Sequence, residues 1–333
     1  MRLSALATHI PDHRISAAQI VAAAGGSPAE AKVFQRMFGM EHVSATRPGE
    51  TLDGVFSDLV ARLAAAHSGE APDALIYVRG QPLQYGRGRS PMDRLRQELP
   101  FLASVTRCYE VDQYNCGGLF WALDLARTLL VSGLARAVLV LGGDSHIGVP
   151  LGDRYVPGCT LMGDAFCGML VDLDPSGAQI SPIVLRTHPE FAAGRGGTAQ
   201  ETGAFFAAHQ RICGEALELT GFDWQGQGLL LPHNVNRLAW QDFCRAFSLD
   251  EARIRLSLLP DVGHCYVCDP FLLLAEALAT PLAEAPTLLS VGMGGYVGAC
   301  SLTPPPPSSP DFSSFPLTTH RSEATECMLK EHC

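Results

Sequence analysis

The sequence predicts an α/β protein whose sheets are covered by helices on both faces. Three observations carry this. Short unbroken apolar runs recur along the chain. Segments with helical spacing of apolar residues lie between them. Several runs end in glycine-rich or polar turns. A strand buried on both faces reads as a continuous apolar run, and strands alternating with helices predict parallel, doubly covered sheets.

In chain order, residues 75–78 (Leu-Ile-Tyr-Val) and 108–111 read as strands, 119–130 as a helix, and 137–141 (Ala-Val-Leu-Val-Leu) as a buried strand ending in Gly142-Gly143-Asp144. Strands follow at 169–171, 183–185, 228–231 and 287–291, with helices at 238–247 and 270–278. The two halves, 1–175 and 176–302, echo each other. Each holds a strand, a polar loop, a helix and a glycine-rich strand end. The last part, 303–333, differs: Pro304 to Pro307 and Pro310 continue neither sheet nor helix, so this tail is expected outside the core and disordered.

Composition bounds the function. The chain has 333 residues, 47% hydrophobic and 17% charged, enough for one large core or two medium ones. A net charge of −10 without a basic run argues against a nucleic-acid partner. Arg87, Arg89, Arg94 and Arg96 form one arginine-rich stretch that could receive an acidic carrier protein. Eleven cysteines without framework spacing read as reduced thiols, which fits the cytoplasm. The apolar start is short and interrupted by Pro11, Asp12 and Arg14, so it reads as neither a leader nor a membrane span.

Four segments carry candidate chemistry. Cys116 follows a strand and a polar turn and precedes Gly117, Gly118 and a helix. A helix start favours a thiolate, and the glycines let a carbonyl approach the backbone. His233, in Pro232-His233-Asn234-Val235-Asn236, lies just past the carboxyl end of a strand, where open α/β sheets place active groups. His264 lies at a loop-to-helix boundary after Gly263. With Cys265 and Cys268 it spells H-C-x-x-C, but no second ligand pair of zinc-site spacing accompanies it, so no metal is expected. The turn Gly292-Met293-Gly294-Gly295 can aim a backbone N–H at an oxyanion.

In this order, over about residues 1–302, the segments resemble the thiolase-fold condensing enzymes of the 3-oxoacyl-(acyl-carrier-protein) synthase III group. Cys116 stands at the family's nucleophile. Residues 161–168 resemble its F-G-D-G-A-G-A segment, 233–236 its H-Q-A-N, and 292–298 its closing G-G-G-x-x-x-G. The resemblance implies a thiolase fold: two pseudo-duplicated α/β halves in an α-β-α-β-α core. It implies that Cys116 takes an acyl group from an acyl-CoA or acyl-carrier-protein thioester, with the N–H groups of Cys116 and Met293 holding the oxyanion. It assigns catalysis to Cys116, His233 and His264, and pantetheine contacts to Asn236, Gly294 and Gly295. It implies a homodimer, and no cofactor beyond the CoA or phosphopantetheine of the substrate.

Two positions depart from the family. His264 replaces its asparagine, and Glu41 after Gly39-Met40 replaces an arginine that helps hold the CoA nucleotide. A Cys-His-His set occurs in the elongating condensing enzymes, so decarboxylative condensation in a specialised pathway is the leading expectation. Acyl transfer to a small-molecule oxygen or nitrogen acceptor is the alternative, and a non-catalytic partner subunit the third. Phe120, Trp121, Phe166, Phe205 and Phe206 are candidates for the acyl pocket or for plain core.

Overall fold

The computed structural model of the chain describes residues 1–80, 90–280, 282, 284–303 and 317–320. Strand β1 (Arg2–His9) opens the chain. Strands β2 (His13–Ser16) and β3 (His42–Ala45) pair with each other and flank helices α1 (Ala17–Ala23) and α2 (Pro28–Val33). Next come α3 (Leu52–Ala66), β4 (Ala74–Val78), α4 (Pro91–Glu98), β5 (Arg107–Val111), α5 (Gly118–Val131) and β6 (Ala137–Asp144). A small hairpin of β7 (Tyr155–Val156) and β8 (Thr160–Leu161) leads to β9 (Ala165–Asp172).

The second half runs β10 (Ala178–Ile180), β11 (Val184–Thr187), α6 (Ala199–Thr220), β12 (Leu230–Pro232) and α7 (Arg237–Phe247). It continues with α8 (Leu259–Val262), α9 (Asp269–Leu278), β13 (Thr287–Gly292) and β14 (Tyr296–Thr303). A last strand, β15, spans Leu317–His320.

The strand order is β5-β4-β6-β9-β1-β10-β14-β13-β12. The halves repeat one pattern. In the first, β4 is parallel to β6, β6 antiparallel to β9, and β9 antiparallel to β1. In the second, β12 is parallel to β13, β13 antiparallel to β14, and β14 antiparallel to β10 and β11. The sheet is therefore mixed, where the sequence pattern predicted parallel sheets. The three residues between β13 and β14 can only make a hairpin, which forces that pair antiparallel.

Alternate residues of one strand point to opposite faces, which explains the continuous apolar runs. Ile76 and Val78 of β4 face a central core with Leu119, Phe120 and Leu123 of α5 and Phe271 to Leu274 of α9. Leu75 and Tyr77 face the other way, under Phe56 and Leu59 of α3 and Leu95 of α4. On the second half, Leu289 and Val297 pack under Ile212 of α6 and Trp240 of α7. Leu231, Leu288 and Cys300 of the second half share the central core with α5 and α9, so the two halves of the sheet cover these helices from both sides, giving five layers, α-β-α-β-α.

Two expectations change. Leu317–His320 of the tail pairs in parallel with residues 6–9 of β1, so these four residues join the sheet; residues 304–316 and 321–333 lie outside the described residues. Helix α6 was not anticipated, although Thr198 and Glu201 form a capping box at its start and Gly221, at φ 73°, ends it. Among the described residues, no helix is long and apolar enough to cross a membrane.

One buried cluster holds the wall of the site. Asp164 accepts hydrogen bonds from Arg154 Nη1 (2.9 Å) and Nη2 (2.8 Å), from His146 Nδ1 (2.7 Å) and from the Thr46 N–H (2.8 Å). Burial alone would raise its carboxyl, but the His146 and Arg154 bonds hold it well below the usual range. Arg154 in turn bonds the carbonyl of Met162 (3.0 Å). Asp164→Ala would leave Arg154 buried and unpaired. It is expected to cost about 3–5 kcal/mol in chemical denaturation; a loss well under 1 kcal/mol would show that the cluster is not a support.

Candidate active site

The loop that carries Cys116 joins β5 to α5. Tyr114 and Asn115 have positive φ (74° and 47°), and Asn115–Gly117 form one 3-10 turn before Gly118 starts α5. The sequence placed Cys116 near a helix start, and the structure puts it in this turn. Small residues make the placement possible: a Cβ on Gly118 would lie 2.9 Å from a Val78 methyl, and one on Gly298 would lie 2.6 Å from Phe120. Ser290 Oγ of β13 donates to the Cys116 carbonyl at 2.9 Å, so the second half of the chain steadies the loop of the first.

His264 meets Cys116. Its Nε2 lies 3.3 Å from Cys116 Sγ. Gly263, at φ 74°, turns the chain there; a Cβ would lie 2.7 Å from Val43. The His264 N–H donates to the Leu161 carbonyl at 3.0 Å and its carbonyl accepts from the Gly163 N–H at 2.8 Å, so residues 161–163 hold the His264 backbone. The other ring nitrogen, Nδ1, bonds Asp269 Oδ2. Asp269 is fully buried at the start of α9, and it also accepts the N–H groups of Asn234 (2.6 Å) and Cys265 (2.7 Å). Burial alone would lower the His264 pKa; the Asp269 carboxylate and Cys116 outweigh it and raise it to about 10.

His233 follows β12 as expected, but it faces differently. Its carbonyl accepts from Trp240 Nε1 at 3.0 Å, and its Nδ1 accepts from the Val291 N–H at 3.4 Å. With Nδ1 an acceptor, the neutral ring carries its hydrogen on Nε2. That nitrogen lies 3.2 Å from His209 Nε2 of α6. Burial, then His209 and His264, push the His233 pKa well down; burial lowers His209 to about 4. Both rings are therefore neutral near pH 7.

Cys116, His264, His233, His209 and Met293 share one cavity of about 290 Å³. Phe205 and Phe206 line it, whereas Phe120 and Phe166 are fully buried in the core and Trp121 is exposed. Asn236 also lines it, yet both ends of its amide are used: Oδ1 caps α7 through the Ala239 N–H (2.7 Å) and Nδ2 donates to the Cys159 carbonyl (2.9 Å). Gly294 and Gly295 make the β13–β14 turn, where a Cβ on Gly295 would lie 2.3 Å from the His188 carbonyl. The Cys116 N–H, expected to serve an oxyanion, donates to Asn115 Oδ1 at 2.8 Å.

Cys265 and Cys268 lie in the core, Cys268 Sγ beside Cys167 Sγ at 3.7 Å. Among the described residues, no group of three or more His, Cys, Asp or Glu could hold a metal ion. Arg94 pairs with Asp53 and Glu98, and Arg96 with Asp93; Arg87 and Arg89 lie outside the described residues.

Sequence reasoning missed Asp269, His209 and Asn115 as site residues. Asp269 carried a signal: Asp269-Pro270 opens a helix five residues after His264, where an acidic side chain at the first turn faces back along the chain. His209 carried none of its own: the capping box marks its helix, and only packing brings the ring to His233.

The fold has solved counterparts. A 3-oxoacyl-(acyl-carrier protein) synthase from Burkholderia xenovorans LB400 aligns with TM-score 0.74 and 18% identity, over 96% of this chain and 97% of that one. The β-ketoacyl-(acyl carrier protein) synthase III of Thermus thermophilus aligns with TM-score 0.74 and 20% identity, over 91% and 99%. The transferase ChlB3 aligns with TM-score 0.77 and 20% identity, over 91% and 98%. No family model and no curated protein matches the sequence. The chain thus has the thiolase fold of these enzymes, the fold that the ordered motifs implied.

The His264–Asp269 bond sets a pH dependence. A raised histidine pKa contributes stability fully below the unfolded value of 6.5, and that contribution is lost as pH rises through about 10. In Asp269→Asn, only Cys116 is left to oppose burial, so the His264 ring should titrate well below about 10. NMR titration of the ring hydrogens checks this; an unchanged midpoint would mean that Asp269 does not set the charge of His264.

Proposed function

We propose that the chain transfers an acyl group, through a Cys116 acyl-enzyme, to an oxygen or nitrogen nucleophile of a small acceptor. The observation that supports this best is the line Cys116–His264–Asp269. A nucleophile, a base within reach of it and a carboxylate fixing the base are the parts of a nucleophilic triad.

The steps follow from the geometry. With the proton on His264 Nε2, Cys116 is a thiolate. It attacks the thioester carbonyl; the bond to Cys116 Sγ forms, the bond to the donor sulfur breaks, and His264 gives its proton to the departing thiolate. Acylation also removes the negative sulfur from beside His264, one of the two groups that raise its pKa. The ring, now neutral, takes the proton of the acceptor hydroxyl or amine as that atom attacks. Cys116 leaves as thiolate beside the imidazolium, and the cycle closes. The donor is an acyl-CoA or acyl-carrier-protein thioester, and no further cofactor takes part. The description of ChlB3 as a transferase supports the same reading.

Decarboxylative condensation is the second reading. It is favoured by two histidine rings at one cavity, with the His233 and His264 centroids 6.1 Å apart. Against it, the Nε2 hydrogen of His233 is committed to His209. A non-catalytic partner subunit has no use for a nucleophile, base and carboxylate in line, so the third expectation is the weakest.

Intact-protein mass spectrometry with acetyl- and malonyl-CoA, each alone and with alcohol or amine acceptors, separates these readings. Acyl mass on Cys116 without CO2 release, with product only when an acceptor is present, is the expected result. Release of CO2 with a 3-oxoacyl product would select condensation. No acyl mass on the wild type, and no difference in Cys116→Ala, would end both enzyme readings.

We also propose a homodimer. Strand β5, which leads to the nucleophile, ends the sheet and among the described residues pairs only with β4. An open edge is a pairing surface, and two such edges satisfy each other about a two-fold axis. Light scattering should give twice the 35.6 kDa chain mass; a monomer at micromolar concentration would refute it.

A further inference from the structure

The residue before the nucleophile occupies the place a substrate oxygen needs. Asn115 sits at φ 47°, directly after Tyr114 at φ 74°. Asparagine tolerates this region better than most side chains, and strain of this kind gathers at functional sites. The turn folds the Asn115 amide back over its own neighbour. Its Oδ1 accepts the Cys116 N–H at 2.8 Å and the Cys116 thiol at 2.9 Å. The facing strand leaves room for it: a Cβ on Gly292 would lie 2.8 Å from Asn115 Cβ, 3.2 Å from Oδ1 and 3.0 Å from the Cys116 nitrogen. Asn115 and Cys116 both line the cavity. The backbone donor beside the nucleophile is therefore already bonded to an amide oxygen, which is shaped like the carbonyl of an acyl donor.

We infer that Asn115 is a gate on acylation: its amide oxygen stands in for the donor's carbonyl, and donor binding must displace it before Cys116 can react. The inference rests on the acyl-enzyme reading above. One thiol proton has two acceptors within reach, Asn115 Oδ1 and His264 Nε2. The raised His264 value belongs to the thiolate form, in which the charge of Cys116 adds to that of Asp269. With Oδ1 accepting the S–H, the pair is instead a thiol, the poorer nucleophile, beside a neutral ring whose Nε2 is open. A thioester oxygen that takes the Cys116 N–H evicts the amide. The proton then passes from Sγ to His264 Nε2, and the thiolate forms with the donor already seated. Nucleophile formation is coupled to donor binding.

The test uses two probes on the full chain, read as mass gained at Cys116. Iodoacetamide needs a thiolate and develops no oxyanion. p-Nitrophenyl acetate needs both, and as a small activated ester it reports on the gate whatever the true donor is. Asn115→Gly removes the amide and suits the left-handed backbone. Near neutral pH its iodoacetamide labelling is expected to rise about fivefold, the worth of one hydrogen bond. Its acetylation is expected to rise more, because the N–H is freed as well. Asn115→Asp keeps an acceptor and adds a negative charge beside the sulfur, so its labelling is expected to be slower than wild type. Labelling of the Gly variant no faster than wild type by both probes overturns the gate, as does faster alkylation with slower acetylation, which would make Asn115 an oxyanion donor. If the gate result appears but no CoA thioester ever acylates Cys116, the acyl-transfer reading fails while the gate stands.

Discussion

The buried Asp269 carboxylate organises the site. It has no access to solvent, and it is satisfied only because three donors converge on it: the His264 ring, the Asn234 N–H and the Cys265 N–H. Those donors come from the loop after β12 and from the turn before α9. One carboxylate therefore sets the distance between the loop that carries His233 and the turn that carries His264. A buried charge without such partners would be too costly to keep, so the loops and the charge depend on each other. The same bond makes His264 basic.

Around that bond, the two halves of the chain meet through small residues and backbone. Ser290 of β13 bonds the Cys116 carbonyl, and Gly298 of β14 lets α5 approach the sheet closely. The Asp164–Arg154–His146 cluster supports residues 161–164, which in turn bond the backbone of His264. Cys116 thus belongs to one half and His264 to the other. Their 3.3 Å separation is a property of the packed core, not of either half.

Much was legible in the chain. Continuous apolar runs marked strands β4, β6, β12 and β13, because strands covered on both faces have no polar side to interrupt them. Cys116 and His264 were recognisable from glycines that only a tight turn or close approach requires. The short edge and joining strands β10 and β15 were not legible, since a few residues paired by neighbours carry little period of their own. Helix α6 was overlooked despite its capping box, and with it His209. The pantetheine contacts expected of Asn236, Gly294 and Gly295 came from the resemblance; in the structure Asn236 lines the cavity and caps α7, and Gly294 and Gly295, at positive φ, form the β13–β14 turn.

By itself, the sequence singled out Cys116, His233 and His264 as candidates for chemistry, and the order of elements that delivers them. Residue type and local turn propensity are properties of short segments, and they survive reading in one dimension. Tertiary structure alone decided the partnerships: that His264, rather than His233, reaches the sulfur; that Asp269 stands behind it; that His209 engages His233; and that Asn115 holds the N–H beside the nucleophile. These depend on ring orientation and on hydrogen bonds between segments far apart in the chain, which only a packed core brings within three or four ångströms.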